Sequence, residues 1–263
     1  EIRMYDDSAD SAVMENLFRI MYQNHPARNS IAGTVESIQA ITAETLTLCH
    51  DTFYDPSNLM LCVIGDVDAS SVIEQAKRQT PEGKKPRVER CYGEPEPETV
   101  KTRRVEKQME ISMPAFAIGF RCPDAGRGMD AMRTEFIGDL AGEILIGESS
   151  PLYQKLYDEN VIDADFSVGY EHMKGMALLA LTGDSEDVDR ILREVLQEAK
   201  RISKAGVDRA LLARLKKSAM GRRLRDLDGF EGTCYRMCAY DFDGAEYLDY
   251  PDVFSSVTAE DVE

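Results

Sequence analysis

Three histidines and six cysteines are the side chains of this sequence best suited to metal or nucleophilic chemistry, and their spacing brings few of them together. His25 precedes Pro26 in a stretch that Pro26 and Gly33 keep irregular, so it is expected to make a structural contact. His50 falls in a helical stretch and His172 at a hairpin turn, and both are expected in solvent. Cys234 and Cys238 lie one helical turn apart, a spacing that turns two thiols to one side. No second Cys/His pair accompanies them, so a structural role is expected. Cys62 lies inside an apolar run and Cys122 ends one, which reads as core packing. Cys49 and Cys91 complete a set without paired spacing, and free thiols fit a reducing cytoplasm. Gly65-Asp66 and Gly183-Asp184 end strands, but neither belongs to a glycine pattern that cradles phosphate, which argues against a nucleotide-binding α/β protein.

Bulk properties exclude other classes. The chain has 263 residues, a net charge of −17 and an isoelectric point near 4.7. That field repels a phosphate backbone, so nucleic acid is not an expected partner. The dense basic run from Arg214 through Lys216-Lys217 to Arg222-Arg223 and Arg225 recurs at helical spacing, and reads as a solvated helix face or a partner contact. No apolar run reaches the ~18 residues of a membrane span, so no membrane is expected.

The elements that must position these groups are legible from periodicity. Apolar residues at 13, 14, 17, 18, 20 and 21 make a one-sided helix over 11–23. Thr42 caps a helix that runs to about Phe53-Tyr54. Residues 59–64 (LMLCVI) form a continuous apolar run, expected to be a strand buried on both faces. A helix over 72–78, capped by Ser70 or Ser71, follows. Residues 81–103, rich in proline and charge, read as a linker. Beyond it come an extended stretch over 105–122 broken at Pro114, a helix over 133–146 and a short helix from Ser150-Pro151. Strands over 164–171 and 175–182 follow, then helices over 186–202, 207–227 and 230–240. Extended residues lead to Val257.

The order of these elements repeats. Residues 37–44 (SIQAITAE) echo 253–260 (VFSSVTAE), each after an amphipathic helix with an aromatic residue near its end, Tyr22 or Tyr240. The expectation is an α+β protein of duplicated lobes, each an antiparallel sheet packed by helices, with both copies truncated. Residues 1–80 would be the C-terminal part of a first lobe, 81–103 the linker, and 104–263 a second lobe lacking its end.

Three strings then carry a family resemblance: EIRMYDD, MYQNHPARNSIAGTVESIQAIT and FYDPSNLMLCVIGDVD. With the downstream IGFRCP they resemble the insulinase/pitrilysin-type (M16) zinc peptidases, in particular a YfmH-like subgroup of Firmicutes described as linked to elongation factor P modification. The resemblance implies a clam-shell chamber holding peptides. It also implies zinc held by two histidines of a His-x-x-Glu-His helix and by a glutamate roughly 75 residues later. That glutamate would be Glu1, the one metal ligand expected in this chain. His-x-x-Glu-His itself is absent, so no catalytic residue is expected here, and zinc is expected in the intact protein rather than on this fragment. The counterpart of Glu1 in the second copy falls near Gly221-Arg222, where no acidic ligand stands, so the second copy reads as the inactive one. Two functions follow: a cytoplasmic zinc peptidase acting on peptides, or a non-catalytic subunit that assembles with a related M16 partner or with itself.

Overall fold

The computed structural model describes residues 2–80 and 88–263. The first half of the chain is helical: α1 (Ile2–Asp6), α2 (Ala9–Met21), α3 (Val35–Gln39), α4 (Ala43–Phe53) and α5 (Ala69–Gln79). Side-chain caps start most of them. Ser8 accepts from the Ser11 N–H at α2, Thr42 from the Thr45 N–H at α4, and Asp68 from the Ser71 N–H at α5. These caps satisfy donors that the first helical turn leaves open.

The second half opens with strand β1 (Ala115–Arg121), which begins directly after Pro114. Helices α6 (Met129–Ile146) and α7 (Pro151–Asp158) follow, then the hairpin β2 (Ser167–Met173) and β3 (Met176–Asp184). Four longer elements complete it: α8 (Val188–Ala205), α9 (Arg209–Asp226), α10 (Phe230–Asp243) and α11 (Tyr250–Ser256), before a terminal turn of helix, α12 (Ala259–Val262). The sheet is antiparallel in the order β1-β3-β2, with Ala115 opposite Asp184 and Ser167 opposite Thr182.

Strand β3 is central and covered on both faces, as its continuous apolar run requires. Met176, Leu178 and Ala180 point to α2, where they meet Leu17, Met21 and Tyr22. Leu181, on the opposite face, joins Phe116, Ile146, Leu156, Ile191 and Val195 from β1, α6, α7 and α8. A helix from the first half thus closes the sheet of the second. Gly119 permits that approach, since a Cβ there would stand 2.9 Å from Leu17 Cδ1. A third core holds α6 against α9, α11 and α12, with Phe136 edge-on to Phe254 at 5.1 Å.

The helical order of the first half recurs in the second. The pair α1–α2 is matched by α9–α10, and α3–α4 by α11–α12, with Thr42 and Thr258 at equivalent caps.

Three expectations need correction. Residues 59–64 form no strand and are not buried: Leu59, Leu61 and Val63 are exposed. Among the described residues no strand pairs with them, and a strand without a neighbour has neither ladder nor covered face. Residues 245–256, expected to be extended, instead make a 3-10 turn (Tyr247–Asp249) and α11, because Tyr247, Tyr250 and Phe254 are buried at helical spacing. His172 lies within β2 rather than at the turn, which is Lys174-Gly175, with Gly175 at φ 82°. The segment 88–114 lacks regular structure apart from turns and bends. It is nonetheless fastened: Glu96 accepts hydrogen bonds from the backbone N–H groups of Gln23, Asn24 and His25 at 2.6–2.8 Å.

On the other face of the sheet, α6 lies close to β2 because of two glycines. A Cβ at Gly138 would stand 2.4 Å from the Tyr170 ring, and one at Gly142 would stand 3.0 Å from Val168 and Leu179. The Gly138→Ala substitution is therefore expected to destabilise the fold by about 1–3 kcal/mol in denaturant titration. Gly169→Ala, which meets nothing within 4 Å, is expected to be close to neutral. Equal effects of the two would refute this packing.

Candidate functional site

The polar centre of the molecule lies between α6 and α9, and it begins as a stripe. Glu135, Asp139 and Glu143 are four residues apart, so α6 turns all three to one side. Their neighbours Met132, Phe136, Leu140 and Ile144 fill the adjacent core stripe. Across from the acids, the last turns of α9 present Arg222, Arg223 and Arg225 to the same cavity. Leu211, Leu212 and Leu215 anchor the start of α9 in the core, which leaves its basic end to face α6.

Four side chains from four elements converge on this site around Glu135. Arg223 of α9 donates to Oε1 at 2.7 Å, and the Tyr240 hydroxyl of α10 donates to Oε2 at 2.6 Å. His172 of β2 places Nε2 3.6 Å from the same Oε2, and the Arg223 guanidinium lies 4.7 Å from the centre of the Phe136 ring. Burial works against charge on Glu135, but His172, Tyr240 and Arg223 together outweigh it and hold the carboxyl below its usual range. His172 is raised, first by its hydrogen bond to Glu135 and against its own burial. Charge-assisted contacts to a carboxylate are stronger than neutral ones, and both Arg223 and Glu135 are about four-fifths covered.

One turn along α6, Asp139 opens onto a cavity of about 610 Å³ that Arg223, Arg236, Tyr250 and Phe254 also line. The surrounding protein, and then the nearby Glu135 charge, push its carboxyl up to about 6. Arg236 pairs with Asp226 at 3.0 Å across the mouth of α9 and α10. The arrangement is an internally neutralised charge network beside a polar cavity. It carries no nucleophile held by a base, and no three His, Cys, Asp or Glu groups among the described residues could hold a metal. The described residues therefore do not fit a zinc site.

The remaining sequence candidates are dispersed. Glu1 lies outside the described residues. His25 is buried, with its Nε2 3.0 Å from the Lys174 carbonyl and its ring stacked on Tyr92, a structural contact as expected. His50 is exposed on α4, also as expected. His172 is four-fifths covered and belongs to the network, contrary to expectation. Within the basic run, Arg223 is buried in that network, whereas Lys216 donates to the Val257 carbonyl at 2.6 Å. Sequence reasoning missed Glu135 and the role of Tyr240 altogether. The available signal was Glu135 next to the core stripe Met132, Phe136, Leu140 and Ile144, a place where an unpaired charge is not tolerated.

Residues 40–219 match the family model described as the Peptidase M16 inactive domain. The chain belongs to the M16 peptidase family. An uncharacterised zinc protease, YmfH, of Bacillus subtilis is 32% identical over all of this M16 chain and 62% of its own length. The zinc protease PqqE of Helicobacter pylori is 25% identical over 80% of the chain and 48% of its own length. Among solved structures, a putative M16-like peptidase from Alicyclobacillus acidocaldarius superposes with a TM-score of 0.92 at 31% identity, covering 99% of this chain and 63% of that one. The M16 chain thus spans roughly half to three fifths of the curated relatives it matches. No helix among its described residues is long and apolar enough to cross a membrane.

Two signs of pH dependence meet in the network: the lowered Glu135 loses its contribution as pH falls through its folded value, whereas Asp139 and His172 act the other way. Asp139 has a folded pKa above its unfolded value, so the native state binds the proton more tightly, and stability falls as pH rises from about 4 to about 6. His172 is likewise raised, and its contribution is lost as pH climbs through its folded value. Asp139→Asn is expected to remove the slope between about pH 4 and 6, read as thermal midpoints across pH. A wild-type slope that survives this substitution would exclude Asp139 as its source.

Proposed function

We propose that the second half of this chain supplies the non-catalytic wall of an M16 zinc peptidase that holds extended peptides in a closed chamber, with zinc bound by the first copy of the duplicated unit. The observation that carries the proposal is the Glu135–Arg223 ion pair between α6 and α9. The break between α9 and α10 follows Asp226, and that between α1 and α2 follows Asp6. Counted back from these breaks, the counterpart of Glu1 is Gly221 or Arg222, beside Arg223. Where the resemblance assigns Glu1 to a metal, the second copy carries glycine or arginine and no carboxylate, and the neighbouring Arg223 guanidinium already neutralises Glu135. A fixed positive charge at that point opposes a divalent cation.

On this reading the α6–α9 face is structural and keeps the wall rigid beside the cavity while the peptide chemistry takes place elsewhere. The network's own residues hold charge and position helices; they move no proton to or from a substrate. The alternative is a non-catalytic subunit completed by a related partner. It draws support from the exposed Leu46, Leu48, Phe53, Leu61 and Val63, which form more apolar surface than a finished exterior usually shows.

The full-length protein decides between these readings. A peptidase is expected to contain one zinc per chain, to cleave unstructured peptides, and to lose both metal and activity with a chelator. Arg223→Lys, which keeps the positive charge, should leave the zinc content unchanged. Absence of His-x-x-Glu-His from the first copy of the full-length sequence, or no cleavage with zinc present, would sink the peptidase reading and leave the subunit.

A further inference from the structure

The cysteines that looked unrelated in sequence meet in space. Cys234 and Cys238 occupy one side of α10, and that side faces the extended run 59–64. The Cys234 sulfur lies 3.9 Å from the backbone carbonyl oxygen of Cys62. Along the run, exposure alternates: Leu61 and Val63 face outward, while Cys62 and Ile64 are half covered, so Cys62 is turned inward as period-two geometry requires. All three thiols are half-buried, accessible to a small molecule but sheltered from bulk solvent. Burial, and then the Cys234 and Cys238 thiols, push the Cys62 thiol up to about 11, which places the three sulfurs in one microenvironment. They do not form a metal cage.

We propose that Cys62 and Cys234 form an oxidisable pair whose disulfide ties the 59–64 run of the first half to α10 of the second. The reaction is exchange with a low-molecular-weight disulfide such as oxidised glutathione. The Cys234 thiolate attacks one glutathione sulfur and expels the other as a thiol. The Cys62 sulfur, on losing its proton, then attacks the Cys234 sulfur and releases the second glutathione. Two protein thiols are oxidised to one disulfide, and one small disulfide is reduced to two thiols. Cys234 takes precedence over Cys238 because its sulfur already touches the Cys62 backbone. The protonated state of Cys62 makes closure slow near neutrality and faster as pH rises.

The bridge would join what the rest of the fold already pairs. α2 lies on the sheet of the second half, and α10 lies against the run 59–64 of the first. A disulfide at the second contact would fix covalently a seam where the Cys234 thiol meets the Cys62 carbonyl.

The test uses the full-length protein in glutathione buffers from reducing to oxidising, quenched with an alkylating agent and digested with trypsin and then with a protease that cuts before aspartate. Cys49 and Cys62 share the tryptic peptide 29–77 and are parted at Asp51 and Asp55. Arg236 lies between Cys234 and Cys238, so cleavage there assigns the two bridges to different peptides. The expected product is a Cys62–Cys234 cross-linked peptide. It should persist in Cys238→Ser and vanish in Cys234→Ser, while the exposed Cys49 and Cys91 take up glutathione instead. Three wild-type results would overturn the proposal, and none depends on a variant folding: separate glutathione adducts on Cys62 and Cys234, unmodified thiols there when Cys49 and Cys91 are fully modified, or a bridge from Cys62 to Cys238.

Discussion

The carboxylate of Glu135 sets the terms for the rest of this structure. A charge buried beside the core stripe of a helix must be neutralised or the helix cannot pack. Arg223 does so from α9, Tyr240 from α10 and His172 from β2. One acidic group therefore fixes the relative placement of three helices and the sheet edge. The stack Tyr240–Tyr247–Tyr250, with ring centres 5.4 Å apart at each step, extends that order towards α11. The cavity beside it inherits its polarity from the same charges.

The two halves of the chain differ in how completely they are held. The second half owns its sheet, its covering helices and an internal charge centre. The first half contributes α2 to that sheet and leaves its own apolar run, residues 59–64, against α10 without strand partners among the described residues. The exchange of helices between halves is what makes the element order, rather than any single residue, the signature of the duplication. Membership in the M16 family accounts for the order; the packing accounts for why α2 cannot be removed without uncovering a sheet face, nor α10 without uncovering the inward side of the run at Cys62.

Much of this was legible in the amino-acid sequence. The helices at 9–21, 129–146, 188–205 and 209–226 show as apolar stripes, and the hairpin shows as two apolar runs around Lys174-Gly175. Thr42 and Thr258 marked the repeat because a short polar side chain that accepts from the first turn favours a helix start. The errors share a physical cause. The run 59–64 reads as a strand because its composition is right, but a strand also needs a neighbour, and composition says nothing of neighbours. His172 and Arg223 look solvated because local pattern cannot report a partner about 40 to 90 residues away in sequence, and it is such long-range partners that bury them. The thiols of Cys62 and Cys234 escaped notice for the same reason.

The Glu135–Arg223 ion pair ties α6 to α9 beside the core that already packs them together. A double-mutant cycle on Glu135→Leu and Arg223→Met tests this most directly, with stability read from denaturant unfolding. The account predicts that each single change leaves a buried charge unpaired, and that the two together restore part of the loss, a coupling on the order of 2 kcal/mol. Strictly additive losses, or stability that rises with zinc and falls with a chelator in the Arg223→Met protein and the parent alike, would contradict it.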